Sequence, residues 1–114
     1  MTNLERLKLE LSNKEYYTDT EYQVFLEENN LLATGVYVKK DNQVNLLETV
    51  VSILETLAND VDIMRKIDTK DITSIDQASK YLNTRIYNIN KKILDLKEEQ
   101  EEKQGNIRPI FFNR

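Results

Sequence analysis

Residues 41–67 read DNQVNLLETVVSILETLANDVDIMRKI and form the central apolar pattern of the chain. Its apolar residues recur at helical spacing, and no Gly or Pro interrupts them. The spacing predicts one amphipathic helix from Asp41 to Ile67, roughly 40 Å long at about 1.5 Å per residue. Further apolar residues widen the stripe, so we expect this helix to need neighbours on more than one side. The stripe comprises Val44, Leu47, Val50, Val51, Leu54, Leu57, Ala58, Val61 and Met64, widened by Leu46, Ile53, Ile63 and Ile67.

The composition favours one all-α domain. A chain of 114 residues fits a single domain, and two Gly and one Pro are too few for the turns of a many-stranded β fold. Cysteine and histidine are both absent, which removes disulfides, thiolate metal sites and the commonest general base. We therefore expect no enzymatic activity and no cofactor, and carboxylate-dependent Mg²⁺ chemistry is the one catalytic alternative left open.

The charge and hydropathy of the chain limit its partners. A net charge of −4 argues against DNA binding by the bulk surface, which needs clustered Lys and Arg. No apolar run reaches the 18 or so residues of a membrane span, and the start at Met1–Glu5 lacks the features of a signal peptide. We expect the protein to stay in the cytoplasm of the cell that makes it.

Two Thr-x-x-Glu spacings mark helix starts in the first third of the chain. In this capping box the Thr hydroxyl and the Glu carboxylate each accept a hydrogen bond from a free backbone N–H. The box at Thr2 predicts a helix from Asn3 to Leu11, and the box at Thr18 predicts another from Asp19 to Glu28.

The segments around the second helix are short. Asn29 and Asn30 can adopt the left-handed conformation that closes a helix. The pair Tyr16-Tyr17 either packs at the helix entry or faces a partner, and packing is the favoured alternative. Residues 33–40 contain only a brief alternation of apolar residues, which predicts a connector, with a β-bridge as the lesser alternative.

A second long helix is expected after a polar turn at Asp68–Asp71. Ser74 and Gln77 have the spacing of a capping box, which places the start near Ile75. A short turn between two long helices favours an antiparallel hairpin packed at roughly 20°, covered by the two amino-terminal helices. The near-heptad stripe of this helix is Ile75, Ala78, Leu82, Ile86, Ile89, Ile93 and Leu96.

The carboxyl-terminal end changes character. Residues 97–104 contain no apolar side chain, which indicates a solvated helix end or a tether, and Gly105, Asn106 and Pro109 oppose helix continuation. The aromatic and basic segment that follows is costly to leave in water, so we interpret it as a docking peptide rather than a segment that folds back on its own domain. The predicted partner-binding residues are Ile107, Arg108, Pro109, Ile110, Phe111, Phe112 and Arg114.

Other polar groupings carry weaker signals. The carboxylate pairs Asp60/Asp62, Asp68/Asp71 and Glu98/Glu102 could be offered as metal or acid–base pairs, but solvated helix faces explain them better. A partly basic patch on the last helix could meet phosphate or an acidic partner, although a plain outer face is the favoured alternative. The patch comprises Asn83, Arg85, Asn88, Asn90, Lys91 and Lys92.

Three segments resemble the small head-tail connector (adaptor, neck) proteins of tailed phages and prophages. They are LERLKLEL at 4–11, TEY at 20–22 leading to FLEEN at 25–29, and ASKYL at 78–82 followed by Arg85-Ile86. The resemblance spans most of residues 4–96 and consists of packing patterns. It implies a non-enzymatic helical subunit that docks on the portal protein and assembles into a homo-oligomeric ring, commonly twelvefold.

The resemblance also implies the wider context. Such a ring extends the DNA channel, lets DNA pass without sequence-specific binding and receives the next neck or tail-completion protein. Its place is the virion neck after assembly in the bacterial host cytoplasm. The family's use of a carboxy-terminal segment to hold the portal corresponds to residues 107–114. The acidic balance of this chain is compatible with DNA sliding through such a channel.

The sequence thus predicts an all-α protein with two short amino-terminal helices on a long antiparallel hairpin and an extended carboxy-terminal tail. Its parts are a connector-like helical domain at 1–96, a charged helix end or spacer at 97–106 and a docking tail at 107–114. The alternative is a free-standing helical-hairpin adaptor or regulator that binds one cytoplasmic protein.

Overall fold

The structure is a computed structural model that describes residues 1–60 and 75–103, and the described residues are all-helical apart from turns and one β-bridge. The predicted all-α class is confirmed. The helices are α1 (Asn3–Glu10), α2 (Asp19–Glu28), α3 (Lys39–Ala58) and α4 (Ile75–Lys103).

Helices α1 and α2 both begin with the predicted capping boxes. The Thr2 hydroxyl accepts a hydrogen bond from the Glu5 N–H at 3.1 Å, and the Glu5 carboxylate accepts one from the Thr2 N–H at 2.8 Å. Thr18 and Glu21 repeat this exchange at 3.2 and 2.9 Å. Four backbone donors that helix geometry leaves free are thereby satisfied locally, which explains why both helix starts were predictable.

The same two helices end in left-handed residues. Asn30 has φ 65°, and the next N–H, from Leu31, bonds the carbonyl of Leu26 at 2.9 Å, a Schellman closure. The prediction is confirmed for Asn30, whereas Asn29 is the C-cap with φ −108°. Ser12 ends α1 in the same conformation, with φ 59°.

The predicted bounds of the central helix are wrong at both ends. The apolar spacing predicts a helix from Asp41 to Ile67, but α3 begins at Lys39 and ends at Ala58. The N–H groups of Asn59 and Asp60 bond carbonyls three residues back, at 3.2 and 3.0 Å, so the last turn tightens and the helix stops. Short polar side chains such as these compete with helical hydrogen bonds, a stop signal that apolar periodicity does not contain. The rest of the predicted helix lies outside the described residues.

The apolar stripe of α3 forms the centre of the core. Leu54 is 2 % exposed and Leu57 is fully buried, as their spacing predicted. The two widening positions within α3, Leu46 and Ile53, are buried as well. Helices α1, α2 and α4 each contact α3, which accounts for a wide apolar face on one helix. The buried apolar residues of α3 are Val44, Leu46, Leu47, Val50, Val51, Ile53, Leu54 and Leu57.

Helix α4 packs mainly on α3. The Lys97 ammonium, near the end of α4, lies 3.3 Å from the Glu48 carboxylate in the first half of α3. Of the predicted stripe, Ala78, Leu82, Ile89 and Ile93 are buried, and Ile86 and Leu96 are partly buried. The charged run from Lys97 to Lys103 continues the helix. The predicted polar turn and the Ser74 cap lie outside the described residues.

The connector between α2 and α3 is anchored to the start of α1. Val36 forms an isolated antiparallel bridge with Thr2, and the Gly35 carbonyl accepts a hydrogen bond from the Asn3 N–H at 2.8 Å. A Cβ atom at Gly35 would lie 3.2 Å from the Asn3 side chain, so this close approach favours glycine. The β-bridge alternative for this segment is therefore present, and the connector ends at Val38 because Lys39 and Lys40 belong to α3.

Candidate functional site

No group of three or more acidic side chains that could hold a metal ion occurs within 1–60 and 75–103. None of the four helices is long and apolar enough to cross a membrane. Of the weak carboxylate pairs, Glu98 and Glu102 are exposed on α4, while Asp62 and both members of the Asp68/Asp71 pair lie outside the described residues. The observable features concern binding and stability.

The predicted docking tail lies outside the described residues. This applies to all of its predicted partner-binding residues, namely Ile107, Arg108, Pro109, Ile110, Phe111, Phe112 and Arg114. Their role stays a prediction from the sequence.

Arg85 differs from the other residues of the predicted basic patch on α4, because it is bound to α1. The Arg85 guanidinium donates a hydrogen bond to the Glu10 carbonyl at 2.6 Å and lies 3.6 Å from the Glu10 carboxylate. A cation at the last carbonyls of α1 also complements the helix dipole, so Arg85 serves to join α4 to α1. The other members of the patch, Asn83, Asn88, Asn90, Lys91 and Lys92, are exposed.

Glu10 also links Arg85 to the connector between α2 and α3, through Arg6. Its carboxylate lies 3.1 Å from the Arg6 guanidinium, and Arg6 in turn stacks over the Tyr37 ring at 5.5 Å from the ring centre. One carboxylate thus receives two guanidinium groups from different helices, and the cation–π contact extends the network to the connector.

Tyr22 holds the loop between α1 and α2. Its side chain is fully buried, and its hydroxyl donates to the Lys14 carbonyl at 2.9 Å. The same oxygen accepts hydrogen bonds from the N–H groups of Tyr16 and Tyr17 at 3.1 and 3.4 Å. Burial raises the pKa of the Tyr22 phenol, so the donating, protonated form, which already dominates at neutral pH, extends to higher pH than in an exposed tyrosine. No pattern in the local sequence indicates these contacts of the Tyr22 hydroxyl.

Replacing Tyr22 by phenylalanine is expected to lower the free energy of unfolding by about 1–3 kcal/mol. The change keeps the ring but removes the hydrogen bonds that the hydroxyl makes with two N–H groups and one carbonyl of the loop. Tyr87→Phe is the matched control because the Tyr87 side chain is 68 % exposed. Urea unfolding measures both variants, and equal stability of the two would show that the Tyr22 hydroxyl is not a structural clamp.

The pair Tyr16-Tyr17 packs against the core, in agreement with the favoured interpretation. Both side chains are partly buried. Tyr17 makes an edge-to-face contact with Tyr22 at 6.2 Å and a tilted contact with Phe25 at 5.5 Å between ring centres. The aromatic residues at the entry of α2 therefore stabilise the fold.

The outward face of α4 is an exposed surface with large apolar side chains. Tyr87 and Leu94 are 68 % and 62 % exposed, and exposed Lys80 and Lys91 lie on the same side of the helix. Beside them runs an open groove of about 770 Å³. The groove is lined by Gln77, Lys80, Tyr81, Thr84, Arg85, Asn88, Ile89 and Lys92.

This surface also follows a regular spacing in the sequence, and its residues are not part of the predicted core stripe of α4. Lys80, Thr84, Tyr87, Lys91 and Leu94 are spaced by 4, 3, 4 and 3 residues, the same period as the buried stripe on the other side of α4. Large apolar residues that recur on a solvent-facing stripe are typical of an interaction surface. We call these five residues the α4 outer stripe.

No family model, no curated protein and no solved structure matches this chain.

Proposed function

We propose that the protein is a structural head-tail connector subunit of a phage or prophage particle, which assembles into a ring under the portal protein and joins head to tail. In this proposal α3 and α4 form an antiparallel hairpin on which α1 and α2 pack, and residues 107–114 form an extended segment that grips the portal. The ring lies in the virion neck and lengthens the channel through which DNA passes.

The observation that carries the proposal is that the segments resembling the connector family coincide with packing helices. Residues 4–11 correspond to α1, residues 20–29 to α2 and residues 78–86 to part of α4. The apolar residues within them that define the similarity are largely buried, and they include Leu7, Leu11, Tyr22, Leu26, Ala78 and Leu82. A resemblance at buried positions bears on the fold. The binding function then depends on the surfaces that this fold presents.

Two further features agree with a ring component. The net negative charge of the chain opposes adhesion to DNA. A channel through which DNA passes requires such weak adhesion. Exposed apolar side chains occur on several separate elements, including Leu9 on α1, Val24 on α2 and Leu94 on α4. A subunit within a ring needs such surfaces for its two neighbours as well as for the proteins above and below it.

The test is to count copies on a purified portal ring from the same genome. By itself the subunit is expected to be a monomer or weak oligomer, since contacts made on a template need not be strong in solution. Mass photometry of the mixture should then show a stepwise gain of many copies per portal ring. Binding of a single copy would contradict the connector proposal and favour the free-standing adaptor, and no binding would contradict the portal as the partner.

A further inference from the structure

We propose that adjacent copies in the ring contact each other through α2 of one copy and the α4 outer stripe of the next. This inference rests on the ring proposed above and names the surfaces that meet within it. The occupant of the α4 outer stripe is thus a second copy of this chain.

The first argument is charge. Between residues 77 and 94 the chain has four basic residues (Lys80, Arg85, Lys91, Lys92) and no acidic one. Arg85 is bound to Glu10, but the three lysines form no ion pair with another residue within 1–60 and 75–103. The middle of α4 therefore carries net positive charge on a protein that is acidic as a whole, with one acidic residue at each end of this stretch, Asp76 and Asp95.

Helix α2 presents the opposite charge. From residue 15 to residue 38 the chain has five acidic residues (Glu15, Asp19, Glu21, Glu27, Glu28) and no basic one, and Asp19 is paired with Lys8 of α1 at 2.7 Å. Thr20, Val24, Glu27 and Glu28 are all exposed and lie opposite the buried side of α2, which carries Tyr22 and Leu26. We call these four exposed residues the α2 outer stripe.

The apolar content of the two stripes matches as well. Val24 is 50 % exposed with Glu27 and Glu28 beside it, and Tyr87 and Leu94 are exposed with lysines beside them. An apolar centre with charged residues around it is the usual composition of a protein interface. At about 1.5 Å per residue the α2 outer stripe is roughly 12 Å long and the α4 outer stripe roughly 21 Å. The whole α2 outer stripe can therefore lie along the α4 outer stripe.

The positions of the stripes favour a ring over a symmetric pair. Helices α2 and α4 both pack on α3 and make no backbone contact with each other. Their outward sides are therefore separate patches of the surface. When two different patches of identical subunits bind each other, the contact is heterologous, and repetition closes a ring if the rotation permits.

The natural absence of cysteine allows a direct test by cross-linking. Thr20→Cys and Thr84→Cys place thiols on the two stripes with little change in size, and Thr56→Cys is a matched control because Thr56 is exposed near the end of α3. At millimolar chain concentration a short bismaleimide should join Thr20→Cys chains to Thr84→Cys chains. The variant with both cysteines should give a series of oligomers.

The cross-linking outcomes are decisive. Joining of Thr20→Cys to Thr56→Cys at equal yield would overturn the proposal, as would a product that stops at the dimer for the double-cysteine variant. Absence of the Thr20–Thr84 product at millimolar concentration would also overturn it.

Charge reversal tests the same contact within the ring. Lys80→Glu/Lys91→Glu and Glu27→Lys/Glu28→Lys should each lower the cross-linking yield and the copy number per portal ring, by about tenfold in affinity, because like charges then face each other. A chain with all four changes should recover assembly. Lys39→Glu/Lys40→Glu, at exposed sites on α3, is the control of equal charge change.

This design separates the two proposals. If the unaltered chain forms no multi-copy ring on the portal, the proposed function fails. If the ring forms and both reversals leave it unchanged, the ring stands and the α2–α4 contact is wrong. Loss of the ring with either charge reversal, together with its recovery in the chain that carries all four changes, would support the contact.

Discussion

Replacing Leu54 by alanine is expected to lower the free energy of unfolding by about 2–5 kcal/mol. Leu54 is 2 % exposed in the second half of α3, the helix on which α1, α2 and α4 all pack. Truncation removes buried apolar surface and leaves a cavity that neighbouring helices on several sides cannot easily fill. Urea unfolding followed by circular dichroism gives the difference.

Leu32→Ala is the matched control for this prediction. Leu32 is 68 % exposed, so the same change in side chain should alter the stability by less than about 0.5 kcal/mol. Ile86→Ala should lie between the two because Ile86 is only partly buried, although the sequence placed it in the near-heptad stripe of α4. Similar losses for Leu54→Ala and Leu32→Ala would contradict the position of α3 at the centre of the core.

Deleting residues 107–114 is expected to abolish binding to the portal ring while leaving helix content and melting temperature nearly unchanged. The segment combines two Phe and two Ile with the fixed positive charges of Arg108 and Arg114. Aromatic and Arg side chains commonly provide most of the energy of an interface, and proline lowers the ordering cost of the segment that carries it. A pull-down with the portal ring measures the loss.

Point variants refine this experiment. Phe111→Ala/Phe112→Ala should reproduce most of the effect of the deletion, and Asn113→Ala in the same segment is the control that should bind normally. Normal binding by the truncated chain would show that the segment is not the anchor. A loss of several kcal/mol in stability on truncation would instead show that it packs on its own domain.

The candidate interaction surfaces were only partly accessible to sequence reasoning. The carboxy-terminal segment stood out by composition, because large apolar and basic residues follow a purely polar run. The α4 outer stripe became apparent only after the buried side of α4 was known, since Tyr87 and Leu94 are not distinguishable from core residues by type. Exposure depends on which side of a helix its neighbours occupy, and that is a property of the tertiary structure.

Local signals in the sequence set where α1 and α2 begin and which side of α3 is apolar. The capping boxes at Thr2 and Thr18 act over three residues, and the periodicity that placed Leu54 in the core reflects the geometry of a single helix. Such features depend only on residues close together in the chain, so they can be read without a structure.

Contacts between distant parts of the chain depend on the packing of the helices. Arg85 binds the carbonyl of Glu10, 75 residues earlier, and Val36 pairs with Thr2. The hydroxyl of Tyr22 holds the loop between α1 and α2. Helical periodicity does not predict the path of this loop. Partner selection of this kind depends on which groups packing brings within about 3 Å of each other, and the spacing of residues along one helix does not contain that information.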